Sequence, residues 1–261
     1  MIVDAHCHVW PDHIAKAVLA QRPAGLDGSF DGTLTGLLDT MDTAGVDRAC
    51  ALAIANKAST VERTNEWIAG VPRDRLVPFG TVHPGLSDEA NLRSLRDNGI
   101  RGVKLHPLFQ ELDFADPRVL DLMRALADDQ VTVLTHVGAG GDAQANERGA
   151  PAALRRLVDA VPDLVVVAFH YGGYHRLDEA QQQLIGTRVL VETSWPPSLA
   201  TLDPQRIVEV IRQHGVDRVV FGSDWPMTDP GAEIAAIREL ALTPQEQHAI
   251  LGGNLARLLQ L

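Results

Sequence analysis

The feature of this sequence that most constrains its fold is a regular alternation of short apolar runs with amphipathic stretches. The apolar runs predict β-strands at residues 1–5, 48–55, 76–82, 100–105, 131–135, 164–169, 188–192 and 218–221. Helical spacing follows them at residues 33–44, 60–69, 87–98, 117–128, 151–161, 177–184, 204–213, 231–240 and 244–259. Strands that alternate with helices form parallel sheets covered by helices, so we predict an α/β protein.

The number of strand–helix units narrows the fold further. Eight units in 261 residues match the count and size of a (β/α)8 TIM barrel. A doubly wound open sheet is the structural alternative. Its nucleotide-binding form has little support, because no Gly-x-Gly-x-x-Gly follows the first predicted strand. No linker or break in composition marks a second domain, so residues 1–261 are expected to form one domain.

Charge and cysteine content exclude several classes of partner. The formal net charge of -11 argues against binding to nucleic acids or to anionic membranes. No apolar run approaches the length of a membrane span, and no export signal is visible. Cys7 and Cys50 are too few for a disulfide framework, which fits a reducing cytoplasm. We expect a cytoplasmic protein with a small-molecule substrate, and either a monomer or a homodimer.

His6 and His8 stand at the end of the first predicted strand with one residue between them. Side chains alternate between the two faces of a strand, so both imidazoles point the same way and can bind one divalent ion. Two solvated histidines are the plainer interpretation of an isolated His-x-His pair. The metal interpretation therefore depends on what the other strand ends carry.

Histidines and an aspartate recur at the carboxyl ends of the other predicted strands. These residues are His83, His106, His136, His170 and Asp224, and Lys104 lies on the same strand as His106. In a barrel all these ends meet at one mouth, where barrel enzymes place their active sites. The set predicts a metal site at the carboxyl ends of the strands, although any single member has an ordinary structural explanation.

The segments that carry these residues resemble the amidohydrolase superfamily, in particular its amidohydrolase-2 branch, which contains aminocarboxymuconate-semialdehyde decarboxylase. The resemblance spans the whole chain. It rests on Asp4-Ala-His-Cys-His8, Gly102-Val-Lys-Leu-His-Pro107, His136, His170, Phe221-Gly-Ser-Asp-Trp-Pro226 and the closing segment 250–259.

The resemblance implies a role for each matching residue. His6, His8, His136 and Asp224 are expected to bind the metal, and Asp224 also contacts the catalytic water. His170 matches the position that either binds a second metal or hydrogen-bonds that water. Asp224 and His170 are thus the expected catalytic residues, because one of them takes or returns a proton.

Lys104 and His106 leave the number of ions open. In binuclear relatives a lysine on the fourth strand is carbamylated and bridges two metals, whereas in mononuclear members it is absent or serves the substrate. A lysine that simply pairs with an acid is the structural alternative, and His106 is a candidate to orient substrate. We expect one ion, zinc rather than manganese, with a binuclear site as the alternative.

The expected function is hydrolysis of a small carbonyl compound, an amide, ester or lactone, by a metal-activated water. The alternative is a metal-dependent, non-oxidative decarboxylase of an aromatic or dienoic acid. A nuclease is disfavoured by Lys104 and by the acidic surface, and a non-catalytic metal-binding barrel would need no open coordination position. Arg22, Lys57, Arg63 and Arg148 lie in loops or early helices and are candidates to bind a substrate carboxylate.

Overall fold

The computed structural model describes residues 1–21, 26 and 30–261, so Arg22 lies outside the described residues. All eight predicted strands are found. They are β1 (Val3–His8), β2 (Arg48–Leu52), β3 (Leu76–Phe79), β4 (Gly102–Leu105), β5 (Thr132–Thr135), β6 (Val166–Ala168), β7 (Leu190–Glu192) and β8 (Val219–Val220). The helices that alternate with them are α1 (Asp12–Leu19), α2 (Leu34–Ala44), α3 (Val61–Ala69), α4 (Asp88–Asp97), α5 (Pro117–Asp128), α6 (Ala143–Arg148), α7 (Pro151–Ala160), α8 (Leu177–Gln183), α9 (Pro204–His214), α10 (Pro230–Glu239), α11 (Pro244–His248) and α12 (Asn254–Leu259).

The helices differ from the prediction in two respects. α1 and α6 are short helices in segments that we expected to be loops. The predicted closing helix over residues 244–259 is interrupted, because a π-helical segment at Ala249–Gly253 separates α11 from α12. Within that segment a Cβ on Gly252 would lie 2.3 Å from the carbonyl oxygen of Met1, so the backbone packs closely there.

The chain divides into two compact units. Unit 1 comprises residues 1–51, 71–77 and 192–261, and unit 2 comprises residues 52–70 and 78–191. The described residues of both units include no helix that is long and apolar enough to cross a membrane. Cys7 and Cys50 are buried free thiols in unit 1.

In unit 1, β1 is hydrogen-bonded to the segment around β8. The amide of Ala5 donates to the carbonyl oxygen of Phe221 at 2.9 Å, and that of His8 donates to Trp225 at 2.7 Å. Cys7 forms a parallel bridge with Trp225. The pairing therefore sets the histidines of β1 beside the residues that follow β8, among them Asp224.

In unit 2, β4, β5 and β6 pair in parallel and in register. Leu105 lies opposite Thr135, and Thr135 lies opposite Ala168. Because the last residues of these strands are paired directly, the carboxyl ends of the three strands lie side by side. His106, His136 and His170 follow these ends within one or two residues.

Candidate metal centre and active site

Three candidate ligands meet in unit 1. Nε2 of His6 lies 3.0 Å from Nε2 of His8 and 3.1 Å from Oδ1 of Asp224. Nε2 of His8 lies 3.7 Å from the same carboxylate oxygen. His6 is buried, while His8 and Asp224 keep a small part of their side chains exposed.

These distances fit a shared divalent ion. Two ligands that are each about 2.1 Å from a tetrahedral zinc ion lie about 3.4 Å apart. The three separations of 3.0, 3.1 and 3.7 Å bracket that value. Two imidazole nitrogens and one carboxylate oxygen are also a donor set that zinc accepts, and they leave a position open for water or substrate.

The buried carboxyl group of Asp4 orders the backbone at this site. Its Oδ1 accepts hydrogen bonds from the amide of His6 at 2.9 Å and from that of Ser223 at 3.0 Å. One oxygen thus ties the strand that carries His6 to the residue before Asp224. Burial raises the pKa of Asp4, although the hydrogen bonds from Ser223 and His6 oppose the shift.

Asp224 itself has an unusual backbone conformation. Its φ is 65°, in the left-handed region that residues other than glycine rarely adopt. His170 at the end of β6 has φ 60°, and Tyr171 after it has φ 53°. Residues held in this region cluster at functional sites, where the surrounding structure supports the local cost.

Glu192, at the end of β7, is a site residue that our sequence analysis missed. Its side chain is fully buried, and Oε2 lies 3.4 Å from Nδ1 of His6. Ser194, also buried, contacts both groups, with Oγ 3.2 Å from that nitrogen and 2.9 Å from Oε2. The rule that selected the other residues, a polar side chain at a strand end, applies to Glu192 too.

In unit 2, His136 and His170 are side by side. Nδ1 of His136 lies 3.1 Å from Nε2 of His170, and Nε2 of His136 lies 3.1 Å from the carbonyl oxygen of Ala139. A carbonyl oxygen only accepts, so Nε2 of His136 carries the ring proton and Nδ1 carries the lone pair. That lone pair is available to a hydrogen bond from His170 or to a metal ion.

The environment of His136 keeps its ring neutral. Burial and the nearby charge of Lys104 lower its pKa to about 3, against a weaker opposing effect of the hydrogen bond to Ala139. A neutral imidazole is the form that binds metal ions. The assignment of His136 as a fourth ligand stays a prediction from the sequence.

Lys104 and His106 have aromatic neighbours in unit 2. The ammonium group of Lys104 is fully buried and lies 3.8 Å from the centre of the Phe169 ring, which is a cation–π arrangement. The ring of His106 stacks between Phe109, at 3.9 Å, and His136, at 4.3 Å.

The remaining candidates, one histidine and three basic residues, lie in loops or on helices. The Nδ1 atom of His83 accepts a hydrogen bond from the amide of Gly85, two residues away in its own loop. Arg148, at the end of α6, is half-buried, whereas Arg63 on α3 and Lys57 are exposed. Among the described residues, none of these four side chains forms a hydrogen bond or an ion pair with a candidate ligand.

The family of the chain follows from a comparison with known protein families. A family model described as Amidohydrolase matches residues 3–261. The chain belongs to this amidohydrolase family. The match extends over nearly the whole sequence, and it confirms the resemblance carried by the motifs at the ends of β1, β4 and β8.

Solved structures similar to this amidohydrolase share its fold. An uncharacterised TIM-barrel protein from Bordetella bronchiseptica is 18% identical, with a TM-score of 0.76 over 99% of this chain and 98% of that one. A 5-carboxyvanillate decarboxylase from Novosphingobium aromaticivorans, complexed with manganese, is 17% identical, with a TM-score of 0.78 over 100% and 96%. A probable 2-pyrone-4,6-dicarboxylic acid hydrolase from Acinetobacter baumannii is 18% identical, with a TM-score of 0.70 over 100% and 99%. The predicted (β/α)8 barrel is therefore confirmed.

Proposed function

We propose that this amidohydrolase is a metal-dependent hydrolase that acts on a small carbonyl substrate, an amide, ester or lactone. The observation that carries the proposal is the convergence of two imidazole nitrogens from β1 with one carboxylate oxygen from the segment after β8. A divalent ion held by these groups supplies a Lewis acid, which polarises a carbonyl group and lowers the pKa of a water molecule.

The side chains divide the remaining work. His6 and His8 bind the ion as neutral imidazoles, and Asp224 contributes a negatively charged oxygen. Asp224 is also the proposed base, because an ionised carboxylate beside the attacking water can accept its proton. His170 is proposed to deliver a proton to the leaving group, because an imidazole is the side chain that most often transfers protons in enzymes.

Zinc is the ion that this donor set suits best, because nitrogen ligands outnumber oxygen ligands. Manganese is the second candidate, since the decarboxylase from Novosphingobium aromaticivorans holds it. His136 is proposed as the further nitrogen ligand. One ion per chain remains our expectation. Metal analysis of the protein as purified measures both the identity of the ion and the number of ions per chain.

A carboxy-lyase is the second candidate function. The observation in its favour is that several of the similar solved structures are decarboxylases, although a probable hydrolase is among them too. In a decarboxylase the proton from His170 or Asp224 would go to a carbon atom as carbon dioxide leaves. Hydrolysis and decarboxylation would use the same metal ligands, so the ligands do not distinguish the two reactions. The products do, because only decarboxylation releases carbon dioxide.

The test combines metal analysis with a product screen. Protein purified without added metal is analysed for bound ions, and then lactones, amides and aromatic acids are screened for released acid and for carbon dioxide. The double variant His6→Ala/His8→Ala should lose the ion and all turnover, whereas His13→Ala, which changes an exposed histidine on α1, should keep both. Turnover of the double variant at the wild-type rate would refute the proposal.

A further inference from the structure

The two nitrogens of His6 face different surroundings within unit 1. Nε2 faces His8 and Asp224, as described above. Nδ1 faces the buried pair of Ser194 and Glu192, at 3.2 Å and 3.4 Å. One ring nitrogen is therefore directed to the candidate metal, and the other to a carboxylate and a hydroxyl group.

The hydrogen bonds among these groups have a single consistent direction. The hydroxyl of Ser194 donates to Oε2 of Glu192 at 2.9 Å. A hydroxyl group has one proton, so Oγ of Ser194 accepts the bond that it shares with His6, and Nδ1 of His6 must be protonated. A neutral imidazole carries one proton, and Nε2 is then left with the lone pair that a metal ion needs.

The carboxylate of Glu192 is held firmly in place. The amide of Ser194 donates to Oε1, while the hydroxyl of the same residue donates to Oε2. Gly222 packs against the other side, where an added Cβ would lie 2.4 Å from Oε1. Both Glu192 and Ser194 are fully buried, so water does not compete for these bonds.

We propose that Glu192, acting through Ser194, is a positioning residue that fixes the tautomer and the ring orientation of His6 for metal binding. The inference rests on the proposed metal site. A carboxylate that accepts from the distal nitrogen of a ligating histidine holds the ring and makes its other nitrogen a better donor. Loss of such a partner lowers metal affinity about 10- to 100-fold.

Glu233 provides a matched control. It too is buried in unit 1, and it accepts from the hydroxyl of Ser198 at 2.8 Å and from the amide of Leu199 at 3.0 Å. It therefore makes the same kinds of bond as Glu192, but its partners are Ser198 and Leu199 and not a residue beside His6. Glu192→Gln and Glu233→Gln each place an amide NH2 group where a carboxylate oxygen accepted.

The experiment measures zinc affinity by competition with a chelator for the wild type and both variants. We expect Glu192→Gln to bind zinc about 10- to 100-fold more weakly, and Glu233→Gln to bind within about threefold of the wild type. Melting temperatures of the metal-free proteins should fall by similar amounts. Equal zinc affinity in the two variants would overturn the inference.

A spectroscopic measurement separates positioning from general destabilisation. In the zinc-loaded protein, the Nδ1–H proton of His6 should give a downfield resonance that exchanges slowly with water, because it lies in a buried hydrogen bond. The resonance should move upfield in Glu192→Gln and stay in place in Glu233→Gln. If Glu192→Gln does not fold, Ser194→Ala is the substitute, and an unchanged resonance there contradicts the inference.

The two proposals fail in different ways. If wild-type protein binds no divalent ion, the proposed function fails, and with it the premise of this inference. If wild-type protein binds zinc and turns over a substrate, but Glu192→Gln binds zinc as tightly as Glu233→Gln, only the role of Glu192 is refuted.

Discussion

Replacement of Gly222 by alanine tests whether packing around Glu192 supports the metal site. The added Cβ would lie 2.4 Å from Oε1, 2.6 Å from Cγ and 2.7 Å from Cδ of Glu192. Carbon contacts are optimal at about 3.5–4.0 Å, so the carboxylate must move by about 1 Å. A shift of that size breaks the 2.9 Å hydrogen bond from Ser194.

Both stability and metal affinity should fall. Forcing a methyl group into a close-packed region costs about 1–3 kcal/mol, which corresponds to a fall in melting temperature of about 2–12 °C for a chain of this size. Zinc affinity should fall about 10- to 100-fold, because the displaced carboxylate no longer orients His6 through Ser194. Differential scanning calorimetry of metal-free protein and chelator competition measure the two effects separately.

Gly253→Ala is the control for this prediction. Gly253 has φ -58°, and the nearest atom to an added Cβ is the carbonyl oxygen of His248 at 3.5 Å. This variant should therefore keep wild-type stability and zinc affinity. If Gly222→Ala behaved like Gly253→Ala in both assays, the packing between Gly222 and Glu192 would not support the site, and the reasoning would be wrong.

Three further predictions concern unit 2. Gln110→Ala should lower the free energy of unfolding by about 2–4 kcal/mol in urea titrations, and a change under about 0.5 kcal/mol would contradict this. The reason is that the buried amide accepts from the backbone NH of His106 and donates to the carbonyl oxygens of Ala55 and Val82. Arg188→Ala should lower the free energy of unfolding by about 1–2 kcal/mol in the same assay, since the guanidinium donates to three backbone carbonyls near the end of α7. Arg188→Lys should recover little of this stability, because an ammonium group cannot reproduce the planar set of donors. The lowered pKa of His136, about 3 in the folded state, means that protonation favours unfolding, so stability is lost as pH falls from about 6.5 towards 3. This residue should account for about 2 kcal/mol of the loss between pH 7 and pH 5 in chelator-treated protein, and His136→Gln should abolish that part.

The fold could be predicted from the sequence because the same strand–helix pattern is repeated eight times along the chain. Apolar runs of strand length recur with helical stretches between them, so errors at single boundaries do not change the number of units. α6 escaped prediction because its six residues are largely polar and give no apolar periodicity. The π-helical segment before α12 escaped it because Gly252 packs against the backbone of Met1, a contact between residues far apart in the sequence.

The candidate site was partly predictable for a related reason. Parallel strands align their carboxyl ends, so polar residues at those ends can be grouped from the sequence alone. Glu192 stands at a strand end like Asp224 but lies outside the motifs that carry the family resemblance, and its complete burial is visible only in three dimensions. The tautomer of His136 is set by the hydrogen bond that its Nε2–H donates to the loop carbonyl of Ala139, and no side-chain pattern encodes this contact.

The most direct test of the account is a crystal structure of the protein purified without added metal, with anomalous diffraction data collected at the zinc and manganese edges. The account predicts an anomalous peak about 2.0–2.2 Å from Nε2 of His6, Nε2 of His8 and a carboxylate oxygen of Asp224. Crystals soaked in zinc and in manganese that show no peak beside these three atoms would contradict it.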